Sequence, residues 1–177
     1  MQKSIWIFGI LAGIICAVLE YLFFASEGGS ANVMFIAKIA VLAIFTISGL
    51  VLIRKLKGGI ISIGRTIVSG LMIALVRAVV MIIAFGFLYY PNGDFYKHRS
   101  DQAVQVATDQ MNANDAVKAA DKKMKLEETI EQITFQYKPT GYSLIAIGGS
   151  LVTGLVLSIL TAAIIGTNMM YNDPKQT

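Results

Sequence analysis

Four long apolar stretches alternate with polar segments along this chain, and they predict its architecture. The stretches cover residues 4–25, 32–53, 65–90 and 142–170. A helix needs roughly 20 residues to cross a hydrocarbon core about 30 Å thick, and each stretch meets that length. We therefore predict an all-α membrane protein with four transmembrane helices.

The polar segment of residues 91–141 separates the third and fourth stretches and predicts a helical hairpin. Turn and helix-start signals divide it into two helices, at about 94–111 and 115–137, with a stop at Pro139. The second helix has one apolar face, which is formed by Leu126, Ile130, Ile133 and Tyr137. So few apolar residues cannot build a large core alone, and we expect the hairpin to pack on the membrane surface, on a copy or on a partner.

The distribution of lysine and arginine predicts how the chain is oriented. Segment 54–57 contains three basic residues and joins the second and third stretches. Short loops rich in Lys and Arg remain in the cytoplasm, and four spans place both termini on that side. We expect three parts: residues 1–90 with three spans, 91–141 as the hairpin on the opposite side, and 142–177 with the last span and a short cytoplasmic tail.

Composition supports a membrane protein and argues against nucleic acid as a partner. The chain has 177 residues, of which 55% are hydrophobic and 15% charged, and its mean hydropathy is +0.66. Soluble domains of this size are less apolar. The net charge of +4 comes from residues clustered around the apolar stretches, and nucleic-acid binding requires an extended basic surface. The single cysteine, Cys16, lies in the first stretch, where we expect a buried inert thiol.

Three charged side chains fall inside the apolar stretches, away from their ends: Glu20, Lys38 and Arg77. Charges within spans mark functional sites by default. At 1.5 Å per helical residue, Glu20 and Lys38 lie roughly 8 Å and 9 Å below the outer ends of their helices, so they can meet. Three interpretations remain open: a pair that holds two helices together, a proton or ion relay, and snorkelling to the interface.

Arg77 lies deeper than the other two charges, roughly 20 Å below Tyr90 by the same count. The fourth stretch has no acid that could neutralise it. One hypothesis is that Arg77 bonds to the hydroxyls of Thr46, Ser48 or Thr153 and to backbone carbonyls, or reaches a water-filled crevice. The other is that it meets an acid, an anionic lipid or a substrate group from another molecule.

Small residues at four-residue spacing predict close helix packing. On the first and third stretches these residues are Gly9, Gly13, Gly70 and Ala74. On the fourth they are Ser150, Gly154, Ser158, Ala162 and Gly166. The packing could occur within the bundle or against a copy or a partner.

No motif in the chain indicates catalysis, a cofactor or a metal. His98 is the only histidine, and neither a second histidine nor another cysteine can join it as a ligand. The chain has no phosphate-binding loop, dinucleotide fingerprint or hydrolase signature. We expect no enzymatic activity.

Several short motifs resemble those of one protein family. They are KGGIISIGR at residues 57–65, Tyr-Tyr-Pro at the end of the third stretch, and TGLVLS at residues 153–158. With the order of apolar and polar segments, they make the chain similar to a family of small bacterial inner-membrane proteins known as domain of unknown function 4199. The resemblance implies a bacterial inner-membrane protein and no particular activity. In such a membrane, the hairpin that the Lys and Arg distribution places opposite the cytoplasm would be periplasmic.

From these features we expect a non-enzymatic accessory or scaffold subunit of a larger membrane assembly. Its partners would be the lipid bilayer and other membrane subunits or a second copy of the chain. The contact surfaces would be the hairpin and the small face of the fourth helix. The alternative is a small transporter or lipid-handling protein that uses Arg77.

Overall fold

The computed structural model describes residues 2–25, 31–59, 61–91, 93–113 and 119–171, and these form six α-helices and no β-strand. The helices are α1 Gln2–Ala25, α2 Ala31–Leu56, α3 Ile63–Ala84, α4 Gly93–Ala113, α5 Ala119–Gln136 and α6 Pro139–Tyr171. The prediction of an all-α protein is confirmed for the described part of the chain.

Four of the helices are long and apolar enough to cross a membrane. The candidate spans are Lys3–Phe23 in α1, Val33–Leu56 in α2, Ile63–Phe87 beginning in α3, and Pro139–Ile164 in α6. This confirms the prediction of four membrane-capable helices. Helices α4 and α5 lie between the third and fourth spans in sequence, where the hairpin is predicted.

Among the helix boundaries that differ from the predicted ones, two have a clear physical basis. Helix α2 continues through Arg54 and Lys55 to Leu56, so both basic residues lie in its last turn. Cations are favourable there because the carboxyl end of a helix carries partial negative charge. Helix α6 begins at Pro139, where the pattern predicts a stop. Proline suits a first helical turn because its missing N–H would have no acceptor within the helix.

Gly58 and Gly59 form the turn between α2 and α3. Their φ angles are +74° and +90°, in the left-handed region that costs other residues roughly 1–2 kcal/mol. Arg54 Nε donates a hydrogen bond to the Gly59 carbonyl oxygen at 2.8 Å. The glycine pair of segment 57–65 therefore has a conformational role.

The chain divides into two compact units, Met1–Met81 with Ala146–Thr177, and Ile82–Ile145. The first unit contains α1, α2 and most of α3 and α6. The second contains the end of α3, α4, α5 and the start of α6. The predicted three-part division has boundaries near residues 90 and 141, where the chain is expected to leave and re-enter the membrane. It stays a prediction.

In the first unit, glycines on α1 allow close contact with α3. A Cβ added at Gly9 would lie 2.6 Å from Cβ of Val76, and one added at Gly13 would lie 2.5 Å from Cβ of Val80. Residue numbers rise together along the two helices, so α1 and α3 run parallel. This direction is expected, because the chain reverses once between α1 and α2 and again between α2 and α3.

Small residues also line the contact between α3 and α6. Gly70 faces Ser158 and Ala74 faces Gly154, so these helices run antiparallel. The small line on α6 is buried at Ser150, Gly154, Ser158 and Ala162. Gly166 lies within α6, and its packing falls outside the described side chains. Of the two interpretations left open by the spacing, the structure places the Gly154 and Ser158 contacts inside the bundle.

The second unit has an aromatic core. Phe85, Tyr89 and Tyr96 are buried, and Tyr137 and Tyr142 pack against them. The rings of Phe85 and Tyr142 stack with centroids 3.9 Å apart, and those of Phe85 and Tyr96 are 4.4 Å apart. Phe85 and Tyr89 belong to a π-helical turn that follows α3. The packing of these rings takes the place of the aliphatic core that the hairpin lacks.

We expect Gly13→Ala to destabilise the protein and Gly148→Ala to leave it unchanged or slightly more stable. The methyl group at position 13 would lie 2.5 Å from Cβ of Val80 and 3.2 Å from the Arg77 carbonyl oxygen, and such overpacking costs about 1–3 kcal/mol. Nothing lies within 4 Å of a Cβ at Gly148, and alanine is favoured over glycine in a helix by about 1 kcal/mol. Thermal unfolding of both variants in one detergent measures the difference. A larger loss at Gly148 would contradict the α1–α3 contact.

Candidate functional site

Two opposite charges meet inside the first unit. Glu20 on α1 places Oε2 3.6 Å from Nζ of Lys38 on α2. The Glu20 side chain is 6% exposed and that of Lys38 is 26% exposed. The structure thus brings together the two charges that lie at matching depth in the sequence. Because both lose hydration on burial, each depends on the other to offset that loss.

Cys16 lies one turn before Glu20 on the same face of α1, since residues four apart are neighbours on a helix. Its side chain is fully buried. Sγ donates to the backbone carbonyl oxygen of Lys38 at 3.9 Å and accepts a hydrogen bond from Nε of Arg77 at 3.3 Å. The thiol is buried, as predicted, but it also connects α1 to α2 and α3.

Arg77 connects α3 to two other helices. Besides its bond to Cys16 on α1, its Nη1 donates to Oγ of Ser150 on α6 at 2.6 Å. Ser150 is 2% exposed. Because arginine remains protonated in proteins, these contacts place polar acceptors around a permanent positive charge.

The hydroxyls that the sequence suggests for Arg77 are not its partners. Thr46 is fully buried, and its Oγ1 has no hydrogen-bond partner among the described residues. Ser48 is exposed, and on α6 the bond goes to Ser150 instead of Thr153. That prediction was wrong because counting residues along a span gives the depth of a side chain but not the side of the helix on which it lies.

These contacts connect five residues that we call the polar network: Glu20, Lys38, Cys16, Arg77 and Ser150. Its contacts involve all four candidate spans. It contains one carboxylate and two cations, so one positive charge is not balanced by an acid within it. Each of these charges would be costly alone in hydrocarbon. The network can therefore hold the helices together, and at Arg77 it could also attract an anion.

Two members of the network were missed in the sequence as hydrogen-bonding groups. Cys16 lies three residues after Gly13 and four before Glu20, which places it on the face where α1 approaches α3. Ser150 begins the small line on α6 and was interpreted as a spacer. Both could have been identified by searching for residues with a polar atom next to the small residues that predict close helix packing.

The described residues contain no group of three or more His, Cys, Asp and Glu side chains placed to hold a metal ion. His98 lies exposed on α4. Three charged residues of the described spans lie away from the span ends, namely Glu20, Lys38 and Arg77, and all three belong to the polar network.

The four spans and the network between them define a multi-pass α-helical membrane protein. Residues 7–167 match the model of the family described as "Protein of unknown function (DUF4199)", and the chain belongs to that family. This confirms the resemblance based on segment 57–65 and the accompanying motifs. Searches of the curated proteins and of the solved structures each gave no match.

We expect Ser150→Ala to lower the stability of the protein and Ser48→Ala to leave it nearly unchanged. The first change leaves a charged donor of Arg77 without its acceptor, which costs about 1–3 kcal/mol, whereas Ser48 is exposed on α2. Thermal unfolding of the purified variants in one mild detergent measures both. Equal shifts, or a larger shift for Ser48→Ala, would contradict the assignment of Ser150 as the partner of Arg77.

Proposed function

We propose that this chain is a non-enzymatic, multi-pass protein of the bacterial inner membrane, and that it serves as an accessory or scaffold subunit of a larger membrane assembly. The observation that carries the proposal is the polar network, in which charges within the spans bond to groups of the same chain. Its contacts extend over four helices and give the bundle a defined internal arrangement. Such a bundle suits a subunit that presents binding surfaces.

The energetics of the network favour a static role over a transport cycle. A carrier of charged substrates needs intramembrane groups that exchange partners during the cycle. Here Glu20 pairs with Lys38, and Arg77 bonds to Cys16 and Ser150. A buried charge that loses its partner without gaining another is costly, so a state in which these contacts separate and are not replaced would be rarely populated.

The hairpin of α4 and α5 is the surface that we propose for partner binding. The two helices contact each other, and they lie in sequence between two spans, in the segment expected outside the bilayer. Several of their apolar side chains are exposed nonetheless: Val106, Met124 and Phe135. Methionine and aromatic residues are enriched at protein interfaces, which supports a protein partner or a second copy of the chain.

We infer that the hairpin is periplasmic and that both termini are cytoplasmic. Arg54 and Lys55 lie in the last turn of α2, and Lys57 follows in the turn before α3. Basic residues within short connections remain in the cytoplasm. Because successive spans alternate in direction, the connection between the third and fourth spans lies on the opposite side.

A second candidate function is transport or lipid handling through Arg77. The observation in its favour is that the two hydrogen-bond partners of Arg77 in the described structure, Cys16 and Ser150, are neutral groups. Arg77 as a residue is also only partly buried. An anionic lipid or substrate group could therefore supply the missing negative charge.

The orientation predicts where a reporter that works only in the periplasm will be active. Fusion after Asn112 should give an active reporter, and fusions after Lys57 or Thr177 should give silent ones, because the basic turn stays in the cytoplasm. Enzyme activity normalised to the amount of fusion protein measures this. An active fusion at Lys57 would reverse the proposed orientation.

We expect Met124→Glu to reduce recovery of a co-purifying subunit several-fold, and Gln132→Glu to leave it unchanged. Both changes add one negative charge to exposed positions of α5, but only the first removes an exposed apolar side chain. Quantitative mass spectrometry of the complex purified in mild detergent measures recovery, and unfolding temperatures check that both variants fold.

Two results would count against this assignment. Equal recovery with both variants would exclude the Met124 surface as the contact. A chain that purifies alone, with an anionic lipid or metabolite that is lost in Arg77→Gln, would favour the second candidate.

A further inference from the structure

A cavity of about 320 Å³ lies in the second unit, between α4 and the turn that joins α5 to α6. Its lining includes Tyr90, Tyr96 and Tyr137, together with Lys97, Lys138 and Ser100. Cavities that bind drug-sized molecules occupy roughly 300–1,000 Å³. The cavity thus suits a compact group better than a whole lipid molecule.

Three tyrosine rings form a preorganised wall of the cavity. The centroid of the Tyr96 ring lies 6.3 Å from that of Tyr90 and 6.3 Å from that of Tyr137. Tyr96 is buried in the aromatic core, whereas Tyr90 is about half exposed. The wall is therefore anchored from within the unit, and a ligand can pack against it without reorganising the fold.

The polar part of the lining favours an anion. Lys97 and Lys138 are both exposed cations, and the described lining residues include no Asp or Glu. Among the serine and threonine hydroxyls of the lining, that of Thr134 donates to the Ile130 carbonyl oxygen at 2.8 Å, so Ser100 is the one that can donate to a ligand. Two ammonium groups and one hydroxyl donor match the oxygens of a phosphate ester.

The position of the cavity in the chain places it at the level of lipid headgroups. The third span ends at Phe87 and the fourth begins at Pro139, so Tyr90 and Lys138 follow and precede these spans by only a few residues. Within the same unit, Phe87 and Leu144 are 78% and 65% exposed, as expected of side chains that face lipid tails. Tyrosine and lysine beside such residues are typical of the membrane interface.

We propose that this cavity binds the phosphodiester headgroup of an anionic phospholipid. Lys97 and Lys138 contact the phosphate oxygens, Ser100 donates a hydrogen bond to them, and the tyrosine wall packs against the glycerol part of the headgroup. The acyl chains lie outside the cavity along the apolar ends of the spans. The proposal is independent of the scaffold role, since lipid binding and partner recovery are measured separately.

Native mass spectrometry of the full chain, titrated with phosphatidylglycerol or with phosphatidylcholine of the same acyl chains, tests the proposal. The unaltered protein should bind one phosphatidylglycerol in preference to phosphatidylcholine. The double variant Lys97→Gln, Lys138→Gln should weaken phosphatidylglycerol binding by about tenfold or more, because each lysine near a phosphate contributes about a factor of five. The control Lys123→Gln, Lys125→Gln removes the same charge from exposed positions on α5 outside the lining and should retain binding.

A second variant tests the cavity without changing its charge. Ser100→Leu fills the space and removes the hydroxyl donor, so it should also weaken phosphatidylglycerol binding while both lysines remain. Competition with soluble glycerol phosphate distinguishes two sources of the phosphate. Displacement of the lipid would support recognition of the phosphate ester alone, and lysine-dependent binding without displacement would support recognition of the intact lipid.

Three outcomes would overturn the proposal. The first is equal binding of phosphatidylglycerol and phosphatidylcholine by the unaltered protein. The second is an equal loss of phosphatidylglycerol binding in the two lysine double variants. The third is unchanged phosphatidylglycerol binding both in Ser100→Leu and in the separate Lys97→Gln, Lys138→Gln variant. The first would indicate general lipid contact, the second a diffuse charge effect, and the third a lipid bound elsewhere.

Discussion

A charged side chain inside a bilayer has no water to solvate it, and this constraint organises the spans of the protein. Glu20, Lys38 and Arg77 must each find polar groups within the chain or from a bound molecule. The structure meets this requirement with a salt bridge, a thiol and a buried serine. Because the three charges lie on three helices and Ser150 lies on the fourth, their solvation depends on the assembly of the whole bundle.

Close helix packing and the polar network depend on each other. Gly13 lets α1 approach α3 closely enough for Cys16 to accept a bond from Arg77, and the small residues of α6 bring Ser150 to the same guanidinium. Larger residues at these positions would separate the helices and leave the charges unsolvated. The glycines therefore stabilise the network indirectly, in addition to allowing van der Waals contact between helices.

The second unit addresses a different problem, which is how a segment with few apolar residues folds next to a membrane. Its core consists of aromatic rings, with Phe85 stacked on Tyr142 and Tyr96 packed beside them. Tyrosines provide both an apolar face and a polar hydroxyl. They can thus form a core on one side and a wall of the cavity on the other, which is the arrangement on which the proposed lipid site rests. The proposed scaffold role instead uses exposed side chains of the hairpin.

The sequence by itself determined the number of membrane-capable helices, the two helices between the third and fourth of them, and the family. These features depend on local properties, namely hydropathy, segment length and backbone freedom, which can be read along the chain. The sequence also predicted that Glu20 and Lys38 lie at similar depths in their helices, because each helical residue adds a constant rise.

Only the tertiary structure decided which side of each helix meets a neighbour. It assigned Ser150 and Cys16 to Arg77 in place of the expected hydroxyls of Thr46, Ser48 and Thr153. It also placed the small line of α6 against α3, and it brought residues about 40 positions apart into one cavity beside the spans. These outcomes depend on the rotation and packing of whole helices, and in spans that are apolar on nearly every side, no periodic pattern in the sequence specifies that rotation.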